Sequence, residues 1–99
     1  MANQHKGEIP LLIGDHQFSL KLTSNLAAEA EEFMDGSIFE YDGSLKTNRA
    51  LFYVMVKGNA GISTIEEAGD LMDEDPAAVI GAVGEAITVF FQRFSPEKA

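Results

Sequence analysis

The hydrophobic residues of this chain change their spacing once, near residue 23, and this change constrains the fold more than any other feature. Before it, Phe18, Leu20 and Leu22 alternate with polar residues, which is the period of a β-strand with one buried face. After it, apolar residues recur every three or four positions as far as Phe94, which is typical of amphipathic helices. The sequence therefore predicts an α+β fold, in which an N-terminal β-hairpin is followed by a small bundle of about four helices.

The predicted hairpin covers residues 8–22. Its two apolar runs, 8–13 and 17–22, are separated by Gly-Asp-His at 14–16, which is typical of a tight turn. Pro10 has no N–H to donate to a neighbouring strand, so we expect the first strand to lie at a sheet edge. Because an isolated hairpin is only marginally stable, a helix is expected to cover its apolar face.

Capping signals place two helices in the first part of the helical region. One is predicted to begin at Thr23-Ser24-Asn25, which offers several N-cap candidates, and is expected to end at the Asp-Gly-Ser at 35–37. A second, capped by Thr47, is predicted over 48–57 and is closed by Gly58. Since this second helix is apolar on nearly every side, we expect it at the centre of the core. Residues between these helices are left as a connector.

Two further helices have clear starting residues. Thr64 and Glu67 have the spacing of a capping box, which predicts a helix to about Met72. Asp75 precedes a proline at the first helical position, and the pattern continues to Phe94. The chain is thus predicted as one domain over 1–99, comprising the hairpin at 8–22, a helical part at 25–94 and frayed ends at 1–6 and 95–99.

The charge and composition exclude several classes of function. Sixteen acidic and seven basic residues give a formal net charge of −9, and the bases are scattered, so nucleic acid is not an expected partner. The chain has no cysteine, which excludes disulfides and thiolate sites. No run approaches the ~20 apolar residues of a membrane span, and no secretory signal is expected. We therefore expect a cytoplasmic protein without membrane contact.

No residue pattern points to catalysis, so we expect no enzyme activity, catalytic residue, metal or cofactor. The acidic segment at 70–81 lacks the turn glycine and terminal glutamate of a calcium loop, and neither histidine has a neighbouring ligand pattern. One alternative stays open at Ser44. The sequence Asp-Gly-Ser-Leu at 42–45 resembles the Asp-Ser-Leu motif of acyl carrier proteins, with an inserted glycine, so an acyl-carrier-like protein modified on Ser44 is a second hypothesis.

The aromatic residues favour binding to another protein. Seven phenylalanines exceed what a single buried seam requires, and three of them span a wide arc of the last helix. The alternative is that these rings pack into the chain's own core. The candidate partner-binding residues are Phe52, Met55, Phe90, Phe91 and Phe94.

Several short strings resemble one protein family in their order along the chain. They are MANQHKGE at 1–8, FSLKLT at 18–23 and NLAAEAE at 25–31, followed by the helix at 50–58, the segment with Glu-Glu-Ala at 63–68 and the terminal helix at 86–94. This layout is similar to that of the small tail proteins of gene transfer agents and tailed phages, which are grouped with the phage tail assembly chaperones. The resemblance covers nearly the whole chain. The connector DGSIFEYDGS at 35–44 departs from it.

The resemblance implies a non-enzymatic role in building a phage, prophage or gene-transfer-agent tail in the cytoplasm of a bacterial host. Such chaperones are thought to coat the tape-measure protein and to bring tail-tube subunits to it. The tape-measure and tail-tube proteins are therefore the implied partners, and association between copies of this chain stays open. The alternative within the same context is a structural tail-tube or tube-terminator component of the finished particle.

Overall fold

A computed structural model describes residues 8–59 and 61–94 of the chain. It contains a two-stranded antiparallel hairpin followed by four α-helices in these residues, so the predicted α+β class is confirmed. The expected frayed ends, 1–6 and 95–99, lie outside the described residues. In order, the elements are β1 (Ile9–Ile13), β2 (His16–Leu20), α1 (Ser24–Ala30), a 3-10 turn (Ile38–Glu40), α2 (Leu45–Val56), α3 (Ile65–Met72) and α4 (Pro76–Phe94).

The hairpin has a single buried face, and its turn is one residue shorter than predicted, because His16 belongs to β2. Ile13 pairs with His16 across the turn, where Gly14 adopts a φ of 57° that favours glycine. The side chains on one face are buried beneath α4, and they are Leu11, Ile13, Phe18 and Leu20. Since the sheet has two strands, β1 is an edge strand, as Pro10 predicts.

Helix α1 begins close to its predicted start and ends earlier than predicted. The hydroxyl of Thr23 accepts the N–H of Leu26 at 3.2 Å as the N-cap. After Ala30 the backbone tightens, and the N–H groups of the next turn donate to carbonyls three residues back. The Glu31 carboxylate then accepts the N–H of Ile38 at 2.8 Å, which ties the connector back onto α1. The prediction that the Asp-Gly-Ser at 35–37 ends α1 was therefore wrong. The helix ends at Ala30, next to the residue that contacts the connector.

Helix α2 begins three residues before its predicted start, because its N-cap is Ser44. The Ser44 hydroxyl accepts the N–H of Thr47 at 3.2 Å, so the prediction of Thr47 as the cap was wrong. The helix ends at Val56, and Gly58 has the expected left-handed conformation, with a φ of 87°. Helix α2 contacts the other three helices and β2, and its central position is therefore confirmed.

The capping predictions for α3 and α4 are confirmed by hydrogen bonds. Thr64 Oγ1 accepts the N–H of Glu67 at 3.1 Å, and the Glu67 carboxylate accepts the N–H of Thr64 at the same distance. Asp75 Oδ1 accepts the N–H of Ala78 at 3.3 Å at the start of α4. Helix α4 packs on both strands and on α2, so one apolar core joins the hairpin to the helices. Among the helices at 8–59 and 61–94, none has the length and hydrophobicity needed to cross a membrane.

Candidate protein-binding groove

Two of the five candidate partner-binding residues are core residues. Phe52 is fully buried, and its ring meets that of Phe18 edge-on with 6.1 Å between the centroids. Phe90 is only 3% exposed and belongs to the apolar core. These placements correct the expectation that both rings are offered to a partner. The middle of α2 is apolar because neighbouring elements surround it, and Phe90 of α4 belongs to the same core.

The other three candidates differ in their surroundings. Phe91 is half-buried and lines an open groove along α4. Met55 is half-buried on α2 and does not line that groove. The side chain of Phe94 lies outside what the structure describes. The structure therefore does not bring the five predicted residues together, and Met55 and Phe91 stay predictions as partner contacts.

The groove beside Phe91 has a volume of about 720 Å³ and a mainly apolar surface. Helix α4 supplies most of its lining, including Gly81, Gly84 and Val89. The hairpin contributes Ile9, and the connector before α2 contributes Tyr41. Because these segments are far apart in the sequence, no single stretch of the chain predicts the groove. An open groove of this volume with an apolar lining is a candidate site for another molecule.

An exposed aromatic side chain extends the groove at Phe91. The rings of Phe39 and Phe91 stack with centroids 5.8 Å apart and an angle of 30° between their planes. Phe39 is 67% exposed, whereas Phe91 is anchored against Phe90, 5.6 Å away between centroids. Leu45 is equally exposed, at 68%, but it lies at a different cleft, between α2 and α3. Phe39 therefore gives the groove an aromatic edge that the other exposed apolar residues do not share.

A buried asparagine holds Tyr41 beside the groove. The Tyr41 hydroxyl donates to Asn48 Oδ1 at 3.0 Å, and Asn48 Nδ2 donates to the carbonyls of Gly43 and Ser44 at 3.1 and 2.9 Å. Asn48 is fully buried, and its amide uses both its donors and its acceptor. Sequence analysis missed this role because Asn48 was assigned to the first position of a helix. The sequence did contain a signal for this role, because the side-chain amide of Asn48 lies close to the strongly apolar run at 50–56 and would need hydrogen-bond partners if buried.

The groove carries no basic side chain among the described residues that line it. Glu85 is its one charged lining residue within the same part of the chain. Arg93, near the end of α4, donates instead to the carbonyl of Leu22 at 2.6 Å and so lies against the end of the hairpin. The groove is therefore an apolar strip with one carboxylate in its described lining, on a chain whose net charge is −9.

Two described carboxylates have a lowered pKa, and both lie near helix starts: Asp42 precedes α2, and Glu67 is in the first turn of α3. The backbone N–H of Ser44 is the main group that lowers the pKa of Asp42, and its hydroxyl adds to the effect. The backbone N–H of Ser63 does the same for the pKa of Glu67, which also accepts from Thr64. Both shifts favour the charged form through hydrogen bonds. These carboxylates therefore stabilise helix starts.

A second cleft, of about 650 Å³, lies between α2 and α3 and contains charges of both signs. The stem of Arg49 packs closely on α3, since a Cβ built at Gly69 would lie 3.1 Å from Arg49 Cδ. Arg49 Nε is buried there and has no hydrogen-bond partner. Its neighbours in the cleft include Lys46 and Asp70. The Arg49 stem therefore forms part of the packing between α2 and α3 in this cleft.

The remaining candidate chemistry concerns metals and Ser44. Within residues 8–59 and 61–94, no three histidine, aspartate or glutamate side chains are grouped so that they could hold a metal ion. Ser44 is half-buried, and its hydroxyl donates to Thr47 Oγ1 at 3.0 Å while it caps α2. Attachment of a prosthetic group to Ser44 would require this hydroxyl to leave the cap. The acyl-carrier hypothesis stays a prediction.

Comparison of the chain with protein-family models, curated proteins and solved structures finds no match. The groove of α4 and its aromatic edge are therefore the features of the molecule from which a function is proposed.

Proposed function

We propose that this protein is a non-enzymatic assembly protein of a phage-type tail, acting in the cytoplasm of a bacterial host as a chaperone for the tape-measure and tail-tube proteins. The apolar groove of α4, with Phe39 and Phe91 at its edge, is the observation that carries the proposal. A groove of this shape accommodates the apolar face of a helix from another protein. The assignment to tail assembly comes from the resemblance of the short strings along the sequence.

The charge of the protein supports a chaperone role in physical terms. A net charge of −9 on 99 residues keeps copies of a protein apart even when each exposes apolar side chains. Stacked aromatic rings at a groove edge offer a large contact area to a partner at little conformational cost. A molecule of this kind can bind an aggregation-prone apolar segment and remain dispersed itself.

Co-expression with the tape-measure or tail-tube protein from the same gene cluster tests the proposal. We expect a complex that can be purified and a larger soluble fraction of the partner. Phe39→Ser should weaken partner recovery by about tenfold, because an aromatic contact contributes on the order of 1–2 kcal/mol to an interface. Leu45→Ser is the matched control, since Leu45 is as exposed as Phe39 but lies at the other cleft.

Two outcomes would contradict the proposed role. No complex with either tail protein, together with no gain in their solubility, would refute it. Equal loss of recovery in the Phe39 and Leu45 variants would refute the groove as the binding surface.

Mass analysis separates the two alternative functions from the proposal. A chaperone should be absent from purified particles, whereas a tube or tube-terminator subunit should be present in many copies. An acyl-carrier-like protein should gain the mass of a phosphopantetheine group on Ser44 after incubation with a phosphopantetheinyl transferase. We expect absence from the particle and an unchanged mass.

A further inference from the structure

We infer that the α4 groove binds an amphipathic helix that has small apolar residues on its contact face and lysine or arginine along its sides. This inference rests on the proposed function, because it specifies which kind of segment in a partner protein the groove receives. Three observations carry it: two glycines that no described neighbour requires, the shape of the strip that contains them, and the negative charge of the groove's one charged lining residue and of the chain as a whole.

No packing contact among the described residues requires glycine at position 81 or 84. Both lie inside α4, and a Cβ built at either would meet no described atom within 4 Å. Neither has the positive φ that favours glycine. Glycine in a helix interior makes the helix less stable than alanine does, so the stability of the fold alone would favour alanine at both positions. Gly69 is the contrast, because a Cβ there would press on Arg49.

The two glycines form an open strip that suits the close approach of a helix. Gly81, Gly84 and Thr88 follow each other at three- and four-residue steps, so they share one face of α4 over about 10 Å. All three line the groove, and apolar side chains such as Ile9 and Phe91 lie beside them. Helix axes approach to about 8 Å when the residues between them are small. A helix with small residues at the contact would therefore fill the groove.

The negative charge of this protein favours a partner helix with basic residues along its sides. The described lining of the groove includes the carboxylate of Glu85 and neither lysine nor arginine. The whole chain carries 16 acidic and seven basic residues. A second copy of the chain would bring its own Glu85 and its own charge of −9 to the contact, which is unfavourable. A partner helix with lysine or arginine beside its apolar face has the complementary charge.

Binding of designed peptides to the full-length protein tests the inference. The probe is a synthetic amphipathic peptide of about 20 residues with alanine and leucine on one face and lysine on the other. A matched peptide has glutamate in place of lysine. We expect the lysine peptide to shift the NMR signals of Thr88 and Val89, and the glutamate peptide to bind at least about tenfold more weakly.

A pair of variants tests the position of the contact. Gly84→Leu should weaken binding of the lysine peptide by about tenfold or more, because the larger side chain occupies the open strip, while the circular dichroism spectrum stays unchanged. Ala28→Leu is the control, since Ala28 is an exposed residue of α1 that does not line this groove. It should leave the affinity unchanged. Gly84→Ala should raise the melting temperature and weaken binding less than leucine does.

Several results would overturn the inference. They are absence of binding by the lysine peptide, equal affinity for both peptides, and signal shifts away from α4. If the protein self-associates and Gly84→Leu abolishes this, the groove binds a second copy of the chain. If removal of residues 1–7 makes the peptide bind more tightly, the groove binds the chain's own N-terminal segment. A tail-protein complex that survives Gly84→Leu would refute the inference alone, whereas a peptide that binds without any tail-protein complex would refute the tail-assembly role alone.

Discussion

Replacement of Asn48 by alanine should destabilise the protein by about 3 kcal/mol, because Asn48 makes three side-chain hydrogen bonds in a fully buried position. Each such bond contributes about 1 kcal/mol net, and a buried group left without a partner costs about 1–3 kcal/mol. The Ser44 carbonyl would keep its bond from the backbone N–H of residue 48, whereas the Tyr41 hydroxyl and the Gly43 carbonyl would lose the bonds described. The expected range is therefore about 2–4 kcal/mol.

Urea denaturation followed by circular dichroism measures this change. Asn25→Ala is the matched control, because Asn25 is exposed in the first turn of α1, and its replacement should change the free energy of unfolding by less than about 0.5 kcal/mol. Tyr41→Phe should cost about 1–2 kcal/mol, and a double-mutant cycle with Asn48→Ala should show coupling between the two side chains. An Asn48 variant as stable as the Asn25 control would refute this account of the connector.

Two further predictions concern backbone conformation and pH. Gly58→Ala should lower the free energy of unfolding by about 1 kcal/mol, because Gly58 has a φ of 87°. Gly84→Ala should raise it by up to about 1 kcal/mol, because alanine favours a helix more than glycine does. Thermal denaturation of both variants checks that the two changes have opposite signs. The pKa of Glu67 is lowered in the folded protein, so its contribution to stability is present above the ordinary glutamate pKa and is lost as pH falls through the lower, folded value. The stability of Glu67→Gln should therefore decline less steeply with acid in urea titrations, and an unchanged slope would contradict the assigned hydrogen bonds.

Local signals were sufficient to predict most of the fold. The capping box of Thr64 and Glu67 and the Asp75 cap need only residues within one turn, so the sequence contains the whole interaction. The alternating apolar residues likewise predicted the buried face of the hairpin, whereas the turn was predicted one residue too long, because His16 pairs with Ile13. The end of α1 was not predicted, because the Glu31 bond to Ile38 spans seven residues of irregular chain.

The candidate site was less accessible to prediction, because it depends on which element covers each aromatic ring. Phe90 and Phe91 are adjacent in sequence and similar in chemistry, but Phe90 is 3% exposed and Phe91 lines the groove. Only the packing of α4 in the folded chain distinguishes them. The weak helix propensity of Gly81 and Gly84 was visible in the sequence, and the open space beside them was not.

The groove joins the beginning and the end of the described chain, since Ile9 belongs to the first strand and Phe91 to the last helix. A molecule bound in the groove would contact both β1 and α4, and it would dissociate when these two elements separate. Opening of the hairpin from α4 would then be slower in the occupied protein, and amide hydrogens of both elements would exchange with solvent more slowly. The lifetime of the complex between this protein and the bound molecule would thus depend on how often the hairpin unfolds locally from α4.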